Sequence, residues 1–300
     1  MLSFIPQDKP NAQLQGYLQA AIGPRPICFA STVDKDGNVN LSPFSFFNLF
    51  GINPTTLIFS PARRVRDNTV KHTLENVYEV AEVVINIVNY AMVEQASLSS
   101  TEYGKGVDEF VKSGFTKLKS DIVKPPRVME SPVQLECKVR QIIETGRDGG
   151  SGNLVICEIL KVHISEDILN ESGAIDQHKI DLVGRMGANW YVRASGDALF
   201  EVEKPLSTLG IGVDALPESI RNSDILSGNN LGQLGNVEKK PGLDEVLEFE
   251  QSGRFGELCR EFGLSAGEAM IQAHQLAREL LEKKRVEEAW LLLLLKENRA

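Results

Sequence analysis

The first two-thirds of the chain reads as β-rich, with apolar and β-branched runs separated by turn signals. Residues 26–33 (PICFASTV) read as a strand, and Asp34-Lys35-Asp36-Gly37 follows with the Asp-Gly signal of a hairpin turn. Residues 38–47 continue as a second strand and 55–60 as a third. The β-branched run 82–89 (EVVINIVN) is expected to be buried, and 134–144 and 153–164 are two longer strands joined by the loop 146–152. A helix is predicted over 69–80, where Val70, Leu74, Val77 and Ala81 share one face.

After Pro205 the pattern changes. Residues 205–240 are rich in Gly, Asn, Ser and Leu with weak periodicity and read as a connector, whereas the pattern from 244 onward is helical. Ser265-Ala266-Gly267-Glu268 has capping-box form and is expected to open a helix running to about residue 298. Near its end, Leu291 to Leu295 are five consecutive leucines, which cover every side of a helix. They should be clasped, within the C-terminal helices or against a second subunit. The chain therefore divides into 1–204, mainly β with a few helices, and 205–300, a connector with a helical extension.

Composition narrows the class. Of 300 residues, 42% are hydrophobic and 24% charged, which excludes collagen-like and disordered chains. The net charge of −9 argues against nucleic acid and anionic lipid as partners. Residues 205–300 carry 11 basic and 16 acidic side chains and 1–204 carry 21 and 25, so neither part is a cationic arm. Cys28, Cys137, Cys157 and Cys259 are widely spaced and read as buried thiols of a reducing compartment. His72, His163, His178 and His274 show no metal-binding spacing, so no metal is expected. The start of the sequence lacks the apolar core of a signal peptide, and the longest apolar run, 289–295, is too short to span a membrane. A cytoplasmic soluble protein is expected.

Candidate chemistry begins in residues 61–72 (PARRVRDNTVKH), where Arg63, Arg64, Arg66 and Lys71 oppose the single Asp67. This segment lies between a strand end and a helix start, where backbone N–H groups favour an anion. Thr69, Thr73 and Ser60 add hydroxyls. The segment is either a phosphate-monoester pocket or a solvated basic loop. In residues 40–48 (NLSPFSFFN), Pro43 marks an edge strand or bulge. Asn40, Ser42, Ser45 and Asn48 either hydrogen-bond a flat heterocycle beside Phe46 or Phe47, or flank aromatic core residues. The run 210–215 (GIGVDA) matches a dinucleotide fingerprint without a preceding strand and is set aside. Gly149-Gly150-Ser151-Gly152 reads as a flexible hairpin loop and not a phosphate loop.

Taken in order, residues 22–61 (IGPRPICFASTVDKDGNVNLSPFSFFNLFGINPTTLIFSP), RRVRDNTVKHTLENV, EVVINIVNY, STEYGKGVDEFVKSGF, VICEILKVHI and VGRMGANWYVR resemble the flavin reductase-like, FMN-binding split-barrel family. That family includes flavoredoxin and NAD(P)H:flavin oxidoreductases. The resemblance covers roughly 1–204. It implies a split β-barrel holding FMN non-covalently at the interface of a homodimer. Asn40, Ser42, Ser45, Phe46, Phe47 and Asn48 would line the ring and ribityl chain. Ser60, Arg63, Arg64, Lys71 and Thr73 would surround the phosphate, and Arg185, Trp190 and Tyr191 would approach from the second subunit. Lys71-His72-Thr73 stands where the family often has Lys-Asp-Thr.

The resemblance further implies hydride transfer from NADH or NADPH to the flavin, then electron transfer to a small-molecule or protein acceptor. Hydride chemistry belongs to the cofactor, so no catalytic residue is assigned. The alternative is a non-catalytic electron carrier that docks a partner through its C-terminal helices. A pyridoxamine-phosphate oxidase-like enzyme would need a second phosphate site, and the sequence offers one cationic cluster.

Overall fold

The structure is a computed structural model and describes residues 1–202 and 204–299. It divides into two compact units, Met1–Phe200 and Glu201–Ala300.

The first unit is built on a seven-stranded antiparallel sheet: β1 (Cys28–Val33), β2 (Val39–Phe44), β3 (Phe47–Ile52), β4 (Thr55–Phe59), β5 (Glu82–Ile87), β6 (Val133–Glu144) and β7 (Asn153–Ile164). Their spatial order is β2-β1-β5-β6-β7-β4-β3. Strand β1 is buried on both faces: Cys28 and Ala30 enter one apolar cluster, and Phe29 enters another. The first cluster also takes Leu57, Phe59, Val83, Ile85, Cys137, Val155 and Cys157 from neighbouring strands. Burial pushes the Cys28, Cys137 and Cys157 thiols up, and all four cysteines are free and buried.

Strand β2 stands at the sheet edge, as Pro43 requires. The backbone N–H of Leu41, on this edge, donates to Oε2 of Glu109. One expectation is corrected here: residues 38–47 are not one strand. The chain leaves β2 after Phe44 and returns at Phe47 as a separate edge strand, with the carbonyl of Phe46 accepting from the Ser60 N–H at 2.8 Å.

Helix α1 (Asn11–Ala21) precedes the barrel, and α2 (His72–Glu79) packs Leu74 and Val77 into it. Helix α2 starts three residues later than its periodicity suggests. Asp67 accepts from the N–H and hydroxyl of Thr69, and Asn68 takes φ 59°, which together hold 67–69 in a turn. Short helices α3 (Val93–Leu98) and α4 (Glu109–Ser113) follow. Arg25–Pro26, Val183–Arg185 and Tyr191–Arg193 form a small separate sheet.

The second unit is helical: α5 (Gly228–Gly235), α6 (Leu243–Gln251), α7 (Arg254–Glu261), α8 (Ala266–Ile271), α9 (Ala273–Glu282) and α10 (Val286–Arg299), preceded by one turn of α-helix at Glu218–Arg221. Residues 205–240 are more than a connector, because Leu216, Ile220, Leu226 and Leu234 join this unit's core. The Ser265–Glu268 capping box forms, but its helix is three helices and not one. The chain turns at Gln272 and again at Lys284, which adopts a left-handed φ of 61°. Leu291, Leu292, Leu293 and Leu295 are all buried in the unit's own core beside Trp290, whose indole N–H donates to the Leu234 carbonyl at 3.1 Å. Among the described residues, no helix is long and apolar enough to cross a membrane.

Candidate functional site

The cationic segment leaves β4 and turns into α2, and its charges are unequally compensated. Arg64 donates from Nε to Oε1 of Glu102 at 2.9 Å, and from Nη1 to the Thr69 hydroxyl and the Val70 carbonyl. Arg66 pairs with Asp67 and with the other oxygen of Glu102. Two hydrogen bonds from Thr69 and one from Arg66 draw the Asp67 carboxyl down to about 2. Among the described residues the Arg63 guanidinium bonds only neutral groups, the side-chain and backbone oxygens of Asn68.

The Lys71 ammonium forms no ion pair and no hydrogen bond among the described residues. Its ammonium lies 5.1 Å from the centroid of the Phe44 ring. Burial pushes it below the usual lysine value, the charge of Arg64 adds to this, and Glu102 and Glu109 oppose it. An unpaired, partly desolvated ammonium suits an anionic ligand.

A cleft of about 890 Å³ opens beside this segment. It is lined by Phe46, Arg63, Arg64, Arg66 and Glu102, by Leu14, Leu18 and Ile22 on and just after α1, and by residues 148–151. The 146–152 segment is not a free hairpin tip. Arg63 N–H donates to the Ser151 carbonyl at 2.8 Å, and Gly150 N–H returns to the Arg63 carbonyl at 3.0 Å. A Cβ on Gly149 would come within 3.0 Å of the carbonyl oxygens of Arg64 and Val65, so glycine permits this docking.

A second cleft, about 680 Å³, is lined by Pro43, Phe44, Ser45, Tyr90, Arg185 and Tyr191 among others. Arg185 stacks on Tyr191 at 4.6 Å, while Arg193 stacks on Tyr90 at 3.8 Å and holds Asp181 through two hydrogen bonds. A third, about 720 Å³, runs between α1 and residues 186–192 and includes Trp190.

The residues singled out from sequence thus separate by position. Phe46, Arg63 and Arg64 share the first cleft, and Ser45, Arg185 and Tyr191 the second. Ser42 is partly exposed on β2, Phe47 packs against the barrel core, and Asn48 is exposed on β3. Asn40 and Thr73 are buried and bonded to each other at 2.9 Å. Ser60 is also buried, its hydroxyl accepting from the Asn153 N–H. Sequence reasoning missed Glu102, α1 and the wall formed by 148–151. Glu102 carried no local signal, because it lies more than thirty residues from the arginines it joins.

His163, Glu136 and Asp121 bring possible ligand atoms within 4.8 Å of one another. Their groups are already engaged. Buried Glu136 accepts from the N–H groups of Asp121, Ile122 and Val123 and meets His163 at 2.7 Å, while Asp121 pairs with Lys161. The trio braces the 121–123 turn against β6 and β7.

Comparison with known proteins adds the following. Residues 22–180 match the family model described as flavin reductase like domain. A protein of Aquifex aeolicus with no assigned function is 32% identical over 201 residues, spanning 67% of this chain and all of that one. Nitrilotriacetate monooxygenase component B from Bacillus cereus superimposes with a TM-score of 0.62 at 25% identity, over 67% of this chain and 98% of that one. A candidate flavin reductase with a split barrel domain from Shewanella frigidimarina gives 0.58 at 26%, over 68% and 100%.

Proposed function

Because the chain belongs to the flavin reductase-like family, whose members carry out flavin-linked oxidoreduction, we propose that it is an FMN-dependent oxidoreductase that takes hydride from NADH or NADPH. The observation that carries this reading is that, among the described residues, Lys71 and Arg63 form no ion pair, within a segment whose other two cations are neutralised by Asp67 and Glu102. Two uncompensated positive charges match one phosphate-monoester dianion.

The residues present fit such a group. Lys71 and Arg63 would hold the phosphate. Ser45 and the edge of β2 would offer polar contacts to a ring lying near Phe44, Phe46 and Pro43. Asn40 and Thr73 hold the strand and helix that carry these groups, and do so from buried positions. The bound flavin would supply the hydride-accepting atom, and the chain supplies position, electrostatics and access. No side chain is assigned a proton-transfer role.

A second copy of the chain would complete the site. Strand β3 is an edge strand with Leu49, Phe50 and Ile52 exposed, an apolar strip of the kind that a homodimer covers. The electron acceptor would be a small molecule or a partner protein. The test is the visible spectrum of the purified chain, followed by chromatography of its heat-released flavin and NADH and NADPH oxidation assays. FMN at unit stoichiometry with rapid oxidation of either nucleotide supports the proposal. FAD at unit stoichiometry, or reduction only by a partner protein, overturns the FMN assignment or the donor assignment respectively.

A further inference from the structure

Four guanidinium groups line the 890 Å³ cleft: Arg25, Arg63, Arg64 and Arg66. Three are occupied. Arg25 donates to the carbonyls of Gln19, Ile22 and Met186. Arg64 and Arg66 are bridged by the two oxygens of one carboxylate, Glu102. That bridge leaves Arg63, which is held by two bonds to Asn68 and meets no carboxylate among the described residues, as the guanidinium at this lining with the fewest competing partners for a ligand anion.

We infer that Glu102 is a specificity-determining residue: by holding Arg64 and Arg66 it limits the cleft to ligands with a single phosphate group. The inference rests on the reading that a flavin phosphate lies along residues 61–72. Three features carry it. The cleft is large enough to accept more than a terminal phosphate, so volume alone would not exclude a diphosphate. Glu102 spans two arginines, so its one charge withdraws both from ligand binding. Its side chain is nearly half exposed on a loop, so it is not required by the barrel core. A diphosphate entering the cleft would have to displace this carboxylate or leave its second phosphate facing it, and like charges at close range are unfavourable. Asp148 is the other carboxylate on this lining and opposes an additional phosphate in the same sense.

The experiment uses the full chain stripped of flavin and titrated with FMN, FAD and riboflavin, with flavin fluorescence as the readout. Wild type is compared with Glu102→Gln, Glu102→Ala and the double variant Glu102→Gln/Arg66→Ala. The ratio of the FAD to the FMN Kd should fall about tenfold or more in both single variants, as expected for one or more new charge-assisted hydrogen bonds. Removing Arg66 in the double variant should restore much of the original ratio. A ratio that is unchanged in both single variants, or that stays lowered without Arg66, overturns the inference. The underlying reading fails in a different way, if wild type binds riboflavin as tightly as FMN; in that case no phosphate contact exists and the inference falls with it.

Discussion

Asn40 donates from Nδ2 to Oγ1 of Thr73 at 2.9 Å, joining edge strand β2 to the first turn of α2 within the buried interior. This contact fixes the spacing between residues 40–45 and Lys71. Thr73→Val keeps the shape and removes the acceptor, leaving the Asn40 amide unpaired. The expected cost is about 1–3 kcal/mol, read as a lower urea midpoint with an unchanged m-value. A variant as stable as wild type would mean that the bond contributes nothing to the fold.

Lys71→Ala should weaken FMN binding by about 1.5–3 kcal/mol, the range for a charge-assisted hydrogen bond. Riboflavin, which lacks the phosphate, should lose much less. Isothermal titration with both ligands checks this, and equal losses for the two would place Lys71 away from the phosphate.

Acid sensitivity should arise in part at Glu136. Burial pushes its carboxyl up, but three backbone N–H donors and His163 outweigh this and leave it below the usual glutamate value. Asp121 is lowered too, chiefly by its hydrogen bond from Lys161. A depressed folded-state pKa gives stability that is complete above the unfolded value of about 4.3 for a glutamate and is lost as pH falls through the folded value. Urea unfolding from pH 6 down to pH 3 should show this loss, and Glu136→Gln should flatten it while lowering stability at pH 6.

The two tryptophans should report on separate units. Trp190 is 75% exposed and Trp290 is 1% exposed. Iodide should therefore quench Trp190 fluorescence and spare Trp290. Trp190→Phe should leave a blue-shifted, quench-resistant emission. Leu292→Ala, which empties a fully buried position beside Trp290, should cost about 2–5 kcal/mol and shift that emission to the red before the barrel unfolds.

Light scattering of the flavin-loaded chain should report twice 33.1 kDa. Phe50→Asp puts a charge on the exposed edge of β3 and should shift the mass toward a single chain. A wild-type chain that is monomeric with flavin bound would rule out the shared-site dimer.

The barrel strands were readable where burial follows a period of two, as in Asn153, Val155 and Cys157 of β7, and because Pro43 announced an edge. The break between β2 and β3 was not readable. Ser45-Phe46 carries no glycine or proline, and the turn depends on a hydrogen bond to Ser60, which is distant in sequence. Lys284 hid the end of α9, being a good helix former that adopts a left-handed conformation where its own N–H and that of Arg285 bond the carbonyls of Leu281 and Leu280. The cationic cluster was visible as a charge count, but its pairing was not, because Glu102 and residues 148–151 reach it only through the fold. The resemblance supplied what local spacing could not, since its force lies in the order of motifs and not in any one of them.

Helix α1 contains no buried residue. The Arg25 guanidinium holds the carbonyls of Gln19 and, just past the helix end, Ile22; Ala20 lies close against Gly187, and Asn11 reaches the Gly149 carbonyl at 3.4 Å. Such a segment opens at far lower free energy than the strands it lies against. The first cleft therefore has one wall of permanent sheet and loop and one wall with its own clock. Amide exchange along 11–21 should run orders of magnitude faster than in β5 and β6, and exchange of ligand through that side need not wait for the barrel to breathe.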